Sequence, residues 1–296
     1  MAATGNLTRG GGARSGIATE PWWVRAILIT LAVVVLGVLL VLPLVTIFVE
    51  AFREGWAAYK EQIIAPETWS AIKLTLITAL IAVPLNLVFG IAAAWAVTKF
   101  NFWGKSILVT LIDLPFSVSP VAAGLALVIL FNLQNGYLAP VLKWLDLKVI
   151  FSLPGMVLAT VFITFPFVAR ELIPLMQSQG TEEEEAAHVL GANGWQMFWR
   201  VTLPNIKWGV LYGVILCNAR AMGEFGAVYA VSSNFEGQKT LPLYIERVYY
   251  ASWVSLVPVF AVASLLGVLA LITLVVKTWL EWKTQREMAE GSKAVH

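Results

Sequence analysis

Arg220 and Glu224 stand four residues apart in the run CNARAMGEFGAVYAV, where nearly every neighbour suits an apolar environment. On a helix that spacing puts both side chains on one face. A charge near the centre of a membrane helix costs about 2.5–3.5 kcal/mol on insertion scales, so such a pair needs a reason to be there. Two reasons are open. The pair ties a helix bundle together, or Arg220 faces a water-filled route and attracts a divalent oxyanion. An arginine has five N–H donors and can serve a carboxylate and an anion at once. Glu224 would then temper the positive field, so that what is admitted can also leave. Asp113 precedes Pro115 by two residues, with Pro120 a little further on. Its carboxylate suits a helix break, where it can bond backbone N–H groups freed by proline or a partner helix; contact with substrate is the other reading. Ser117 and Ser119, between the two prolines, can bond kinked backbone or line a polar path.

Other candidates for chemistry come to little. The sequence GKS at Gly104–Ser106 would need a glycine five residues before Gly104 to cradle phosphate, and Lys99 stands there instead. His188 and His296 are isolated, so no metal-ligand spacing arises. The one cysteine, Cys217, lies in an apolar stretch and reads as a small buried residue. A net charge of +2 offers no basic patch for nucleic acid. The expectation is a chain that is not an enzyme and binds no cofactor.

The elements that must position these residues are membrane helices. The chain has 296 residues, 59% hydrophobic and only 13% charged, against about 25% charged in a soluble domain. Runs long enough to cross about 30 Å of hydrocarbon predict six spans, near 26–49, 74–98, 106–131, 149–169, 208–232 and 248–276. Lysine and arginine in alternate loops total twelve on the side of the termini and seven on the other, which places both termini in the cytoplasm. Trp22, Trp23, Trp69, Trp208, Trp253 and Trp279 sit near span ends, as interfacial anchors do. Pro43, Pro84, Pro115, Pro120, Pro166 and Pro258 fall within spans, and Pro154 near the start of one. They are either ordinary kinks or bends used in opening. Residues 1–22 read as a flexible cytoplasmic tail, 23–276 as the transmembrane domain with a cytoplasmic loop at 170–207, and 277–296 as a cytoplasmic tail.

That loop contains EEEEAAHVLGANGWQMFWRVTLP, residues 182–204. Thr181 and Glu184 have the spacing of a capping box, and the carboxylates after Thr181 favour a helix start there. Ala186 and Ala187 allow close approach by a neighbour, Gly191 and Gly194 permit a turn, and Trp195, Phe198 and Trp199 offer apolar area. The order Glu185-Ala186-Ala187, three residues, Gly191, nine residues, Val201, one residue, Leu203-Pro204 resembles the EAA loop of bacterial ABC importer permeases. Val201 replaces the usual isoleucine. The stretches LIDLPFSVSPVAAGLALVILF (111–131) and NARAMGEFGAVYAVSSNFEGQKTLPLYIE (218–246) resemble those of sulfate/thiosulfate importer permeases, CysW-type above others.

The resemblance implies an all-α polytopic membrane protein with the type I ABC importer permease fold and about six transmembrane helices. It implies that Glu185, Ala186, Ala187, Gly191, Leu203 and Pro204 mark a coupling helix seated in a separate ATPase subunit, which alone binds ATP and Mg. It also implies a second, CysT-type permease and a periplasmic sulfate/thiosulfate-binding protein, in a bacterial inner membrane. Loops at 50–72, 132–148 and 233–247 would meet the binding protein. A permease for molybdate or tungstate, or a transporter driven by an ion gradient with Arg220, Glu224 and Asp113 as relay groups, are the competing expectations.

Overall fold

Proline opens several helices of this apolar chain, while Pro43, Pro84, Pro115, Pro166 and Pro174 sit inside helices that continue past them. The computed structural model describes residues 21–232, 238–252 and 255–294, with side chains as far as Lys283. In chain order the helices are α1 (Trp22–Ala51), α2 (Trp56–Ile64), α3 (Pro66–Lys99), α4 (Lys105–Ser117), α5 (Pro120–Phe131), α6 (Ala139–Trp144) and α7 (Leu153–Gln179). There follow α8 (Glu182–Val189), α9 (Gly194–Met197), a π-helical turn (Phe198–Thr202), α10 (Leu203–Met222), α11 (Gly226–Val231), α12 (Leu241–Ala251) and α13 (Val257–Ala294). The described residues contain helices and turns only, which is the all-α class expected.

The count of six spans needs correction. Among the described residues, four helices are long and apolar enough to cross a membrane: α1, α3, α7 and the part of α13 from Val257 to Lys283. A fifth arises if α4 and α5 together make one span, but they are bent 110° to each other. The cause is local. Val118 and Ser119 leave the helical region, with ψ of 136° and 131°, and the residue before a proline, here Ser119, is pushed toward extended backbone. The fifth expected span, 208–232, is α10 and α11 separated at Gly223–Phe225. With Lys207, Asn218 and Arg220 aboard, α10 is too polar to stand with the four.

Other boundaries shift for similar reasons. The start of the sixth expected span, at 248–251, belongs to α12, and Pro258 and Pro154 occupy the first turns of α13 and α7 rather than kinks. Proline fits there because the first N–H groups of a helix have no partner inside it. Residues 170–179, expected in a loop, complete α7, and 277–294 prolong α13. Most of the expected N-terminal tail (1–20), and Trp253, lie outside the described residues.

The segment of α1 up to Thr46 forms a unit by itself. Its apolar side chains, Leu31, Val34, Leu39 and Leu42 among them, are exposed, as suits a helix whose solvent is lipid. In the remainder, α7 is the hub and packs against α3, α4, α10 and α11. Small residues make this possible. A Cβ added at Gly90 of α3 would lie 2.7 Å from Cβ of Val168 on α7, and one at Gly213 of α10 would lie 3.3 Å from its Cα. Buried polar groups pair inside this core. Asn86 Nδ2 donates to Thr164 Oγ1 at 2.6 Å and reaches Cys217 Sγ at 3.5 Å, and the Thr164 hydroxyl donates to the Thr160 carbonyl. Cys217 is the small buried residue expected.

Candidate functional site

The polar projection between α7 and α10 starts with α8, eight residues carrying Glu182 to Glu185 in its first turn. Thr181 precedes it but makes no capping bond to the backbone; its hydroxyl donates to Glu185 Oε1 at 2.7 Å. Glu184 is engaged elsewhere. One oxygen pairs with Lys99 Nζ at 2.8 Å, and the other accepts from the Thr202 hydroxyl at 2.6 Å. The expected capping box at Thr181–Glu184 is therefore absent, because a tertiary ion pair claims the carboxylate. The capping box forms instead at Asn193 and Gln196, where each side chain bonds the other's backbone N–H, at 2.8 and 3.0 Å.

Gly191 closes the turn after α8 with φ of +87°, in the left-handed region that glycine enters without a Cβ penalty. Val189 and Leu190 beside it are 85% and 87% exposed. Ala186 is exposed and Ala187 partly so. Trp195 and Trp199 are also exposed and pack on Phe198, which meets Trp95 of α3 at 5.1 Å between ring centres. Leu203 and Pro204 form the first turn of α10, with Leu203 packed against the core. From Gly194 to Met222 the chain is continuously helical, the π-helical turn at Phe198–Thr202 widening it by one residue near its start.

Arg220 does pair with Glu224, at 2.5 Å, although Glu224 has left the helix. The Glu224 side chain is 1% exposed and that of Arg220 33%. The contact is one of charge, without the alignment of a hydrogen bond; the other carboxylate oxygen accepts the Ala227 N–H of α11 at 3.0 Å. Glu224 thereby joins the end of α10 to the start of α11. Asp113 takes a partner helix: Arg170 of α7 holds it with Nε at 2.8 Å and Nη2 at 3.3 Å, and lies over the Phe116 ring. Pro115 is inside α4 and Pro120 opens α5, so both border the bend. Ser117 and Ser119 are exposed there.

Sequence reasoning missed Arg170 as Asp113's partner, Lys99 and Thr202 as Glu184's, and the box at Asn193. Only the last left a local signal, since Asn193-x-x-Gln196 has capping-box spacing. The others join residues far apart in the chain.

The chain has membrane-length helices, a bundle packed on α7, a charged joint where a helix breaks, and an apolar-tipped projection continued by helix into that bundle. They define a multi-pass membrane transport component. The chain belongs to the family of binding-protein-dependent transport system inner membrane components, whose model matches residues 86–286. It is 49% identical over 278 residues to the sulfate transport system permease protein CysW of Escherichia coli (strain K12), covering 93% of this chain and 94% of that one. It is 46% identical over 287 residues to sulfate permease 2, chloroplastic, of Chlamydomonas reinhardtii, covering 96% and 76%. Among solved structures, a bacterial ABC transporter involved in the import of the acidic polysaccharide alginate matches with a TM-score of 0.71. That match covers 90% of this chain and 96% of the other at 19% identity, a likeness of fold.

Proposed function

We propose that this chain is the membrane-spanning permease subunit of an ATP-driven importer that carries sulfate or thiosulfate into the cytoplasm. The observation that carries the proposal is 49% identity, over 93% of the chain, to a permease named for sulfate transport. Separate ATPase subunits supply the energy and hold ATP and Mg. A related CysT-type permease completes the pathway, and a periplasmic binding protein delivers the anion to the outer loops. Both termini lie in the cytoplasm of a bacterial inner-membrane protein, with residues 23–276 as the permease domain.

In this proposal α8 is the coupling helix. Ala186 and Ala187 permit close docking, and Val189 and Leu190 enter a groove of the ATPase subunit, a use that accounts for two large apolar side chains left in water. Closure of the ATPase pair moves α8 and α9, and the rod from Gly194 to Met222 carries the movement to Arg220. Arg220 attracts the divalent anion, while Glu224 holds the arginine in place and keeps binding weak enough for release. The spans then open alternately to either side.

The test is uptake by proteoliposomes holding the purified importer, with sulfate and molybdate as alternative substrates. We predict sulfate uptake only with Mg-ATP, and capture of the ATPase by a crosslinker placed at Ala187. Gly191→Trp should insert normally yet abolish uptake, because bulk and a strained φ both oppose docking. Uptake without ATP, or of molybdate alone, would reject the proposal.

A further inference from the structure

Lys99 ends α3, yet its side chain is only 10% exposed, and that of its partner Glu184 is 12%. Lysines at a membrane surface ordinarily keep their ammonium in water. Here the ammonium donates to the Gly180 carbonyl at 2.5 Å and pairs with Glu184 at 2.8 Å. Glu184 in turn accepts from buried Thr202, next to the first residue of α10. A parallel strand of bonds runs beside it: Asn205 of α10 donates to Glu183, and Gln179 of α7 donates to the Asn205 carbonyl at 3.0 Å. The space left among these groups is about 20 Å³, enough for little more than one water molecule.

The first turn of α8 is therefore tied to the end of α3 and the start of α10, and through Lys99 and Asn205 to the end of α7, while its other end, Val189 and Leu190, is exposed. A buried ion pair adds little stability over an apolar contact of the same shape. What it does supply is fixed geometry between the groups it joins. A positive side chain also suits the last turn of α3, where carbonyl groups point outward.

We infer that Lys99 is a positioning residue for energy coupling: through Glu184 it turns motion of α8 into motion of α3 and α10. The inference rests on the coupling role proposed for α8. Without Lys99, a push on the exposed end of α8 is spent in rotating its first turn instead of moving the bundle.

The experiment measures sulfate transported per ATP hydrolysed by the reconstituted importer. Lys99→Met should retain the ATPase on copurification, because the exposed end of α8 is unchanged, while sulfate per ATP falls at least tenfold. Lys99→Arg, which keeps the charge and the donors, should hold the ratio to within about threefold of wild type. Thr202→Val, a near-isosteric change that removes only the hydroxyl, should lower the ratio about threefold. It decides the matter if Lys99→Met does not assemble. An unchanged ratio in Lys99→Met or Thr202→Val, with the ATPase bound, overturns the inference and leaves the coupling role of α8 standing. A wild-type chain that recruits no ATPase overturns both.

Discussion

Glu224 answers to two neighbours at once, and this shapes what the loss of Arg220 would do. One oxygen faces Arg220 and the other accepts from Ala227. Arg220→Met leaves a carboxylate that is 1% exposed without its counter-charge, a change that typically costs about 3–5 kcal/mol. We predict a large drop in the unfolding midpoint of the detergent-solubilised protein for Arg220→Met. Arg220→Met with Glu224→Gln should recover most of it, since glutamine keeps an acceptor for Ala227. Equal loss in the single and double variants would show that the ion pair is not what holds this joint. The four-residue spacing put these residues on one face of an expected helix and left open whether they pair. That Glu224 stands beyond the helix, serving α11 as well, was not legible, because no local pattern marks where α10 ends.

Among the elements, α3 and α7 show how closely two membrane helices can approach. The sequence placed both as spans through their apolar length alone. Which face of each meets the other depends on Gly90 opposite Val168, a contact between residues distant in the chain. Gly90→Leu must force the helices apart and should cost at least about 1–3 kcal/mol, the usual penalty of overpacking. Gly37→Leu, where an added Cβ meets nothing within 4 Å, is the control and should leave stability nearly unchanged. Unfolding of the two variants in the same detergent decides this, and similar midpoints would refute the close packing. The α4–α5 bend was half legible. Pro115 and Pro120 announced a break, but a hydropathy run has no term for direction, and only backbone angles at Val118 and Ser119 set the 110° turn.

At the scale of the whole molecule, orientation is open to direct measurement because the one cysteine, Cys217, is fully buried. The wild-type chain should resist a membrane-impermeant maleimide. Exposed Lys60 and Glu182 changed singly to cysteine should report opposite sides. In intact spheroplasts we predict labelling of Lys60→Cys, and of Glu182→Cys only after permeabilisation; the reverse pattern would invert the proposed topology. Composition by itself determined that this is a helical membrane protein. Residue order in one polar stretch determined the transport family, because burial in lipid and docking on a partner both leave marks that run along the chain. Tertiary structure alone decided that Glu184 belongs to Lys99 instead of Thr181, that Asp113 belongs to Arg170, and that among the described residues fewer than six helices are long and apolar enough to span by themselves. The physical reason is that a charge in a poorly solvated place takes the best partner within reach, and reach is set in space by helices far apart in sequence.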